Sequence, residues 1–139
     1  MRMEQSIIIA RPVAAVFAYR SALEQTREWQ TDVLATQLAT VAPVAVGTHG
    51  TESRRSAKDI LSEWDILITE FELNHVLEIV SSCGAVHIRE RDFFTASDDG
   101  GTRYTTHVEM TGSPLPVSVF HKRTVEELTR LRRRLEAQV

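Results

Sequence analysis

Residues 113–139 read SPLPVSVFHKRTVEELTRLRRRLEAQV, and this stretch decides the fold. After Pro116 neither glycine nor proline interrupts it, so a helix can run to the end. Val117, His121, Thr124, Leu128, Leu131 and Leu135 recur at spacings of three and four, which sets them on one helical face. Arg123, Glu126, Glu127, Arg130, Arg133 and Arg134 fall elsewhere on the wheel. A helix of about 23 residues is roughly 35 Å long, enough to cross a small domain. Its stripe needs a cover, and the chain before it reads as strands.

A length of 139 residues fits one domain, 1–139, able to bury a core without staples. The net charge of −3 offers no long-range attraction to nucleic acid or an anionic membrane. The single Cys83 excludes an internal disulfide framework and fits a reducing compartment. The isoleucine run near the start is too short for a signal peptide, and no stretch could span a bilayer, so the expected location is cytoplasmic.

In order, Ser6 to Ala10 reads as a β-branched first strand, ended by Arg11-Pro12. Pro12 suits the first turn of a short helix whose face carries Val13, Val16, Phe17 and Arg20. A second short helix is expected over Leu23 to Gln30. Val33 to Ala42 then reads as a strand, and Pro43 to Gly47 as a turn. Thr48 to Ser56 is a polar strand expected at a sheet edge. Ile60 to Leu73, Val76 to Ser82, Val86 to Ala96 and Thr102 to Met110 complete the strands. The faces of Val86 to Ala96 are both mixed, whereas Tyr104, Thr106, Val108 and Met110 share one face. Asn74-His75 and Ser97-Asp98-Asp99-Gly100-Gly101 mark turns. Short connections make the pairing antiparallel, and an antiparallel sheet with one apolar face is covered by the terminal helix. One helix cannot fill the concavity of a wide twisted sheet. The short helices would plug one end, leaving a pocket between sheet and long helix.

Several motifs, in this order, resemble the SRPBCC superfamily, the group of START-related, polyketide cyclase/dehydrase-like and birch-pollen-allergen-type proteins. They are Ser6 to Pro12 with Val16-Phe17 and Trp29, Pro43-Val44-Ala45-Val46-Gly47-Thr48, Ile68-Thr69-Glu70-Phe71, Gly101-Thr102-Arg103-Tyr104-Thr105, and Leu128 to Glu136. The likeness spans essentially the whole chain. One departure is Leu73-Asn74, where the family often has a proline pair. The resemblance implies the α+β helix-grip fold, a curved antiparallel sheet of about six to seven strands around a C-terminal helix and a mainly apolar cavity. It implies binding of lipids, polyketides, hormones or quinone-like molecules, or aromatase/cyclase activity, and brings no invariant catalytic set and no cofactor.

Two residues would carry acid–base chemistry if the chain is an enzyme. His121 lies within about 20° of Leu128 on the wheel and is expected to face inward, where it could anchor a carbonyl or move a proton. It could equally be a buried histidine satisfied by a neighbour. Tyr104 could present its hydroxyl to a guest or keep it at the core's rim. Thr106 and Val108 share its face, and Thr124 could support the polar spot of His121 or bond its own backbone. Phe17, Trp29, Trp64, Phe94 and Phe120 could line an aromatic pocket or simply fill a core. His107 points away from Tyr104, His49 and His75 fall in turns, and His87 is left open. The arginines near the end interleave with glutamates as on a solvated face, which argues against nucleic-acid binding. No nucleophile elbow, phosphate loop or metal-spaced histidine pair occurs, so no metal is expected.

Three functions follow as expectations. The first is binding of a small hydrophobic, aromatic, polyketide- or lipid-like molecule in the internal cavity. The second is a cyclase/dehydrase-type enzyme using the same cavity. The third is an interaction module, a homodimer among its forms, using the outer face of the sheet.

Overall fold

A computed structural model describes residues 1–56 and 58–138. Strand β1 (Arg2–Ile9) leads into helix α1 (Val13–Ser21) and a 3₁₀ segment, Leu23–Glu28. Strands β2 (Val33–Leu38), β3 (His49–Arg55), β4 (Leu61–Glu72), β5 (Val76–Cys83), β6 (Val86–Ala96) and β7 (Thr102–Thr111) follow, then helix α2 (Val117–Glu136). All strand pairs are antiparallel, in the order β1-β7-β6-β5-β4-β3-β2. Among the described residues only the β1–β7 contact is non-sequential, so the first and last strands meet at one end of the sheet and β2 forms the other edge.

Side-chain alternation gives the sheet one inward face. Across β1, β7 and β6 the register aligns Met3 with Val108 and Glu90, Gln5 with Thr106 and Asp92, and Ile7 with Tyr104 and Phe94. On β4, Ile66 and Ile68 are buried, and Leu77 of β5 is fully buried. These residues join Val16, Phe17, Leu23, Trp29, Leu128, Leu131 and Leu135 in one core. Turn chemistry fixes the corners. Asn74 takes a left-handed φ of 65° between β4 and β5. Gly112, at φ 81°, passes so close to Ala85 that a Cβ would sit 1.9 Å from its carbonyl oxygen, which leaves glycine no substitute there.

Three expectations change. β3 is not at an edge but between β2 and β4, because its inward polar residues are matched: Arg54 Nε donates to Glu52 Oε1 at 2.8 Å. The second short helix is a six-residue 3₁₀ segment, and β2 ends at Leu38 instead of reaching Ala42. Helix α2 is buried over only part of its stripe. Leu128, Leu131 and Leu135 are 3% exposed or less, whereas Val117 is 48% exposed and His121 lies in solvent. Val117 stands 18 residues, five full turns, before Leu135 and so keeps the same bearing on the helix; the exposure of Val117 and His121 shows that the first turns of α2 are left uncovered.

The C-terminal end of α2 is fastened at the β1–α1 corner. Arg11 Nη1 donates to the Leu135 carbonyl at 2.7 Å and also to the Gln138 carbonyl. Glu136 accepts from the Ala10 amide at 2.9 Å. Farther along, Arg130 Nε donates to the Trp29 carbonyl at 2.9 Å.

Candidate functional site

Between the concave face of β3–β7, the Leu23–Gln30 region and the middle of α2 lies a cavity of about 90 Å³. Its apolar wall is formed by Ile66, Ile79, Ile88, Val108, Met110 and Phe120, with Met3 and Leu23. Its polar wall carries three arginines and three glutamates: Arg20, Arg54, Arg123, Glu52, Glu90 and Glu127. The mainly apolar container implied by the resemblance is therefore replaced by one in which charge and hydrocarbon alternate.

Each arginine is held by carboxylates. Arg20 is 2% exposed, with Nε donating to Asp92 Oδ2 at 3.0 Å and Nη2 donating to Glu90. Its Nε also lies 3.3 Å from the Tyr104 hydroxyl, and its guanidinium stacks over Trp29 at 4.9 Å. Arg54 pairs with Glu52 at 2.7 Å and lies over Trp64 at 4.3 Å. Arg123 bridges Asp32, at 2.7 Å, and Glu127, at 3.1 Å, joining α2 to the loop before β2. Buried ions require such partners because an unpaired charge in a low dielectric costs several kcal/mol, on the order of 3–5.

Burial and neighbours then divide the carboxylates. Burial drives the Asp92 carboxyl well above the ordinary aspartate range, and the Glu90 charge pushes it the same way against the pull of Arg20. Burial also acts to raise Glu90, but Arg20 outweighs it and holds Glu90 below the ordinary glutamate value. Arg20 remains charged because Glu90, Tyr104 and Asp92 together overcome its desolvation. The cluster is thus an Arg20 guanidinium shared by two acids, with the Glu90 carboxyl pulled down by Arg20 and the Asp92 carboxyl pushed up by burial and by Glu90. Glu127 is raised to about 7 by burial, relieved in part by Arg123 and reinforced by Asp32. Among the described residues, Arg20 Nη1, Asp32 Oδ1, Asp92 Oδ1 and Thr106 Oγ1 are buried without a hydrogen-bond partner.

Of the residues singled out from sequence, Val108, Phe120 and Thr124 line this cavity. Phe17, Phe94 and Tyr104 form an edge-to-face stack in the core, with centroids 4.9 and 5.2 Å apart. Trp29 is buried under Arg20, and Thr106 is buried beside Asp92 on the paired strand. Trp64 is half-buried, its Nε1 donating to Ser62 Oγ at 2.9 Å. The expectation that His121 faces inward is not met: its Nε2 lies 3.0 Å from Gln5 Oε1, in an exposed position outside the cavity.

The residues that sequence reasoning passed over are Arg20, Glu90, Asp92, Glu52, Arg54, Arg123 and Glu127. Two signals pointed to the first three. Arg20 shares the apolar face of α1 with Val13, Val16 and Phe17. Glu90 and Asp92 alternate with Ile88 and Phe94, so the mixed face of β6 is an inward face carrying two acids. An arginine and two acids aimed at one core satisfy one another or destabilise it.

A second, open cleft of about 520 Å³ lies on the outer side of α1, between Ala14, Ala18 and Ala22 and the side chains of Val44, Phe71 and Leu73. It carries no ionisable side chain. No group of metal-binding side chains occurs among the described residues, and no described helix is long and apolar enough to cross a membrane.

No protein-family model and no curated protein matches this sequence. Solved structures do. The chain is similar to the ZhuI aromatase/cyclase from Streptomyces sp. R1128 (TM-score 0.81, 9% identity, 98% of this chain and 93% of that one). It is similar to a Chromobacterium violaceum protein (TM-score 0.81, 9% identity, 98% of each chain). It is also similar to Ara h 8.0201 (TM-score 0.75, 13% identity, 99% of each chain). Identities this low carry the fold alone, and the fold is the helix grip: a curved seven-stranded antiparallel sheet holding a long C-terminal helix.

Proposed function

We propose that this helix-grip chain binds a small amphipathic molecule in the cavity between its sheet and α2. The observation that carries this reading is the wall itself, where ionised side chains converge on a hollow that a plain core would have filled with hydrocarbon. The apolar patch of Ile66, Ile79, Ile88, Val108 and Met110 would take the body of the guest by burial, at about 25 cal/mol per Å². The arginine–glutamate pairs would orient its polar end. A volume of about 90 Å³ lies below the roughly 300–1,000 Å³ of drug-sized sites, so the guest is small or enters with an outward shift of α2.

Native mass spectrometry of the freshly purified protein tests this, followed by a thermal-shift screen of small ring compounds. Ser81 is 5% exposed and lines the cavity, so Ser81→Leu places a branched side chain in the space. Guests should raise the melting temperature of the parent protein and not of the folded Ser81→Leu variant. Equal shifts in both would remove the cavity from the account.

A cyclase/dehydrase-type enzyme is a second reading, supported by one feature, the two acids Glu90 and Asp92 on the Arg20 guanidinium at the wall, whose surroundings push their carboxyls in opposite directions. In such a step the α-carbon's proton would pass to Glu90 and its electron pair onto oxygen as an enolate, with Glu90 acting against the pull of Arg20, which makes it a weaker base than an ordinary glutamate. With cyclohexanone in D₂O, the parent protein should speed deuterium uptake at the α-carbon and Glu90→Gln should not. No acceleration by the parent protein rejects this reading and leaves the binding reading intact.

A further inference from the structure

We infer that the polar end of the guest is a primary ammonium group, received by Glu127 Oε2 and the Ser81 hydroxyl. This rests on the binding reading above and names the ligand class for that cavity. The first support is a set of free acceptors. Along β5 the inward positions are Leu77, Ile79 and Ser81, and the register sets Ser81 between Ile66 and Ile88, which line the cavity with it. Ser81 is 5% exposed, and its hydroxyl has no hydrogen-bond partner among the described residues although it is not sealed from water. Thr26, also 5% exposed and on the wall, leaves its hydroxyl equally free. Glu127 is 9% exposed; Arg123 Nε donates to its Oε1 at 3.1 Å, whereas its Oε2 accepts from no described residue and stays open. A primary ammonium carries three N–H donors, and these three acceptors border one hollow. A buried acceptor left without a donor costs free energy, and such a guest removes that cost.

The second support is the balance of charge. Arg20 is shared by Glu90 and Asp92, Arg54 answers Glu52, and Arg123 is shared by Asp32 and Glu127. Three guanidiniums thus serve five carboxyls, and the site is short of positive charge. Glu127 registers the shortfall: burial, Asp32 and Glu90 push its carboxyl up to about 7 against the pull of Arg123. The charged groups around it are Arg123 on its own helix, Asp32 before β2 and Glu90 on β6. Arg20 of α1 and Glu52 and Arg54 of β3 share the same wall. Glu52 has both oxygens engaged, by Arg54 and Thr36, so it does not compete for the guest. An entering cation releases the Glu127 proton to solvent and supplies the missing partner, whereas an anion would add a sixth acid to the cluster. Ile66, Ile79 and Ile88 take the hydrocarbon beside it.

Cyclohexylammonium, cyclohexanol and cyclohexanecarboxylate serve as probes, since they share a ring and differ in the charge of the polar end. By titration calorimetry at pH 7, cyclohexylammonium should bind the parent protein at least about tenfold more tightly than cyclohexanol, the ratio expected for a hydrogen bond between charged groups. Cyclohexanecarboxylate should bind more weakly than either. At pH 6 the free protein holds the Glu127 proton, so binding of the amine should release close to one proton, read from the heats in phosphate and in MES buffer. At pH 8.5 it should release almost none, and the affinity should rise about tenfold from pH 6 to pH 8. Glu127→Gln keeps the shape of the side chain. In it the proton release should vanish and the amine affinity fall at least about tenfold. The proton count in the parent protein gives the answer even where that variant does not fold.

Cyclohexanol or cyclohexanecarboxylate binding as tightly as the amine, and abolished by Ser81→Leu, overturns the ammonium class and spares the binding reading. Amine binding that releases no proton at pH 6, or that releases it unchanged in Glu127→Gln, overturns the role of Glu127. Absence of amine binding overturns the inference outright. Amine binding that survives Ser81→Leu unchanged places the guest outside the cavity and overturns both readings.

Discussion

Asp92→Asn and Glu90→Gln each replace one carboxyl by an amide, yet they should differ in effect. Burial and the Glu90 charge both oppose ionisation of Asp92, so its charge counts for less than that of Glu90. Asparagine keeps its shape and an acceptor for Arg20 Nε, so denaturant unfolding at pH 7 should show a change within about 1 kcal/mol. Glutamine at position 90 removes the anion that compensates Arg20, and a loss of about 3 kcal/mol is expected. Equal losses would mean that Asp92 carries the charge. Glu127 yields a pH test. Its carboxyl is raised to about 7 from an ordinary 4.5, so the folded chain holds a proton that the unfolded chain has released. The unfolded state then binds fewer protons, and stability falls as pH rises from about 4.5 to 7 before levelling off. Two and a half pH units correspond to about 3 kcal/mol. Glu127→Gln should therefore stabilise the protein by about 1–3 kcal/mol at pH 8 and leave it nearly unchanged at pH 4, as read from urea curves. A gain equal at both pH values would show that packing, and not charge, is responsible.

At the scale of the element, α2 divides into a buried half and an exposed half. Leu131 is fully buried against β-sheet and α1 residues, so Leu131→Ala should cost about 2–5 kcal/mol. Val117→Ala, at a site 48% exposed, should stay within about 0.5 kcal/mol. Native-state hydrogen exchange should show faster opening for the amides of residues 120–124 than for those of residues 128–135; equal protection along the helix would contradict this division. The spacing of Leu128, Leu131 and Leu135 made the buried half legible in the sequence. His121 was misplaced because heptad spacing was extended past the point where packing enforces it. The strands were legible wherever apolar alternation was clean, as in β4. β3 was placed at an edge because its inward residues are Glu52 and Arg54, and a single sequence does not show that they neutralise each other.

Across the whole molecule, the architecture was readable because connection lengths and the terminal amphipathic stretch leave few ways to cover one sheet face. The lining of the cavity was not, since it depends on long-range partners: Arg20 meets acids some seventy positions away on β6. A search for aromatic and histidine side chains looked past arginines, which sequence statistics assign to the surface. Ligand linkage gives the global test. A guest of the cavity at one hundred times its dissociation constant should stabilise the protein by about 2.7 kcal/mol. The same guest should leave Ser81→Leu unmoved, as measured by chemical denaturation with and without it.

The Arg54–Glu52 pair makes the specificity of the protein readily retuned. Both groups border the hollow and sit two positions apart on β3, each answering the other. Neutralise only Glu52, and a bare cation faces the guest; neutralise only Arg54, and a bare anion does. One substitution would thus tilt the hollow toward acids or amines, at a stability cost of about 3–5 kcal/mol for the charge left unpaired.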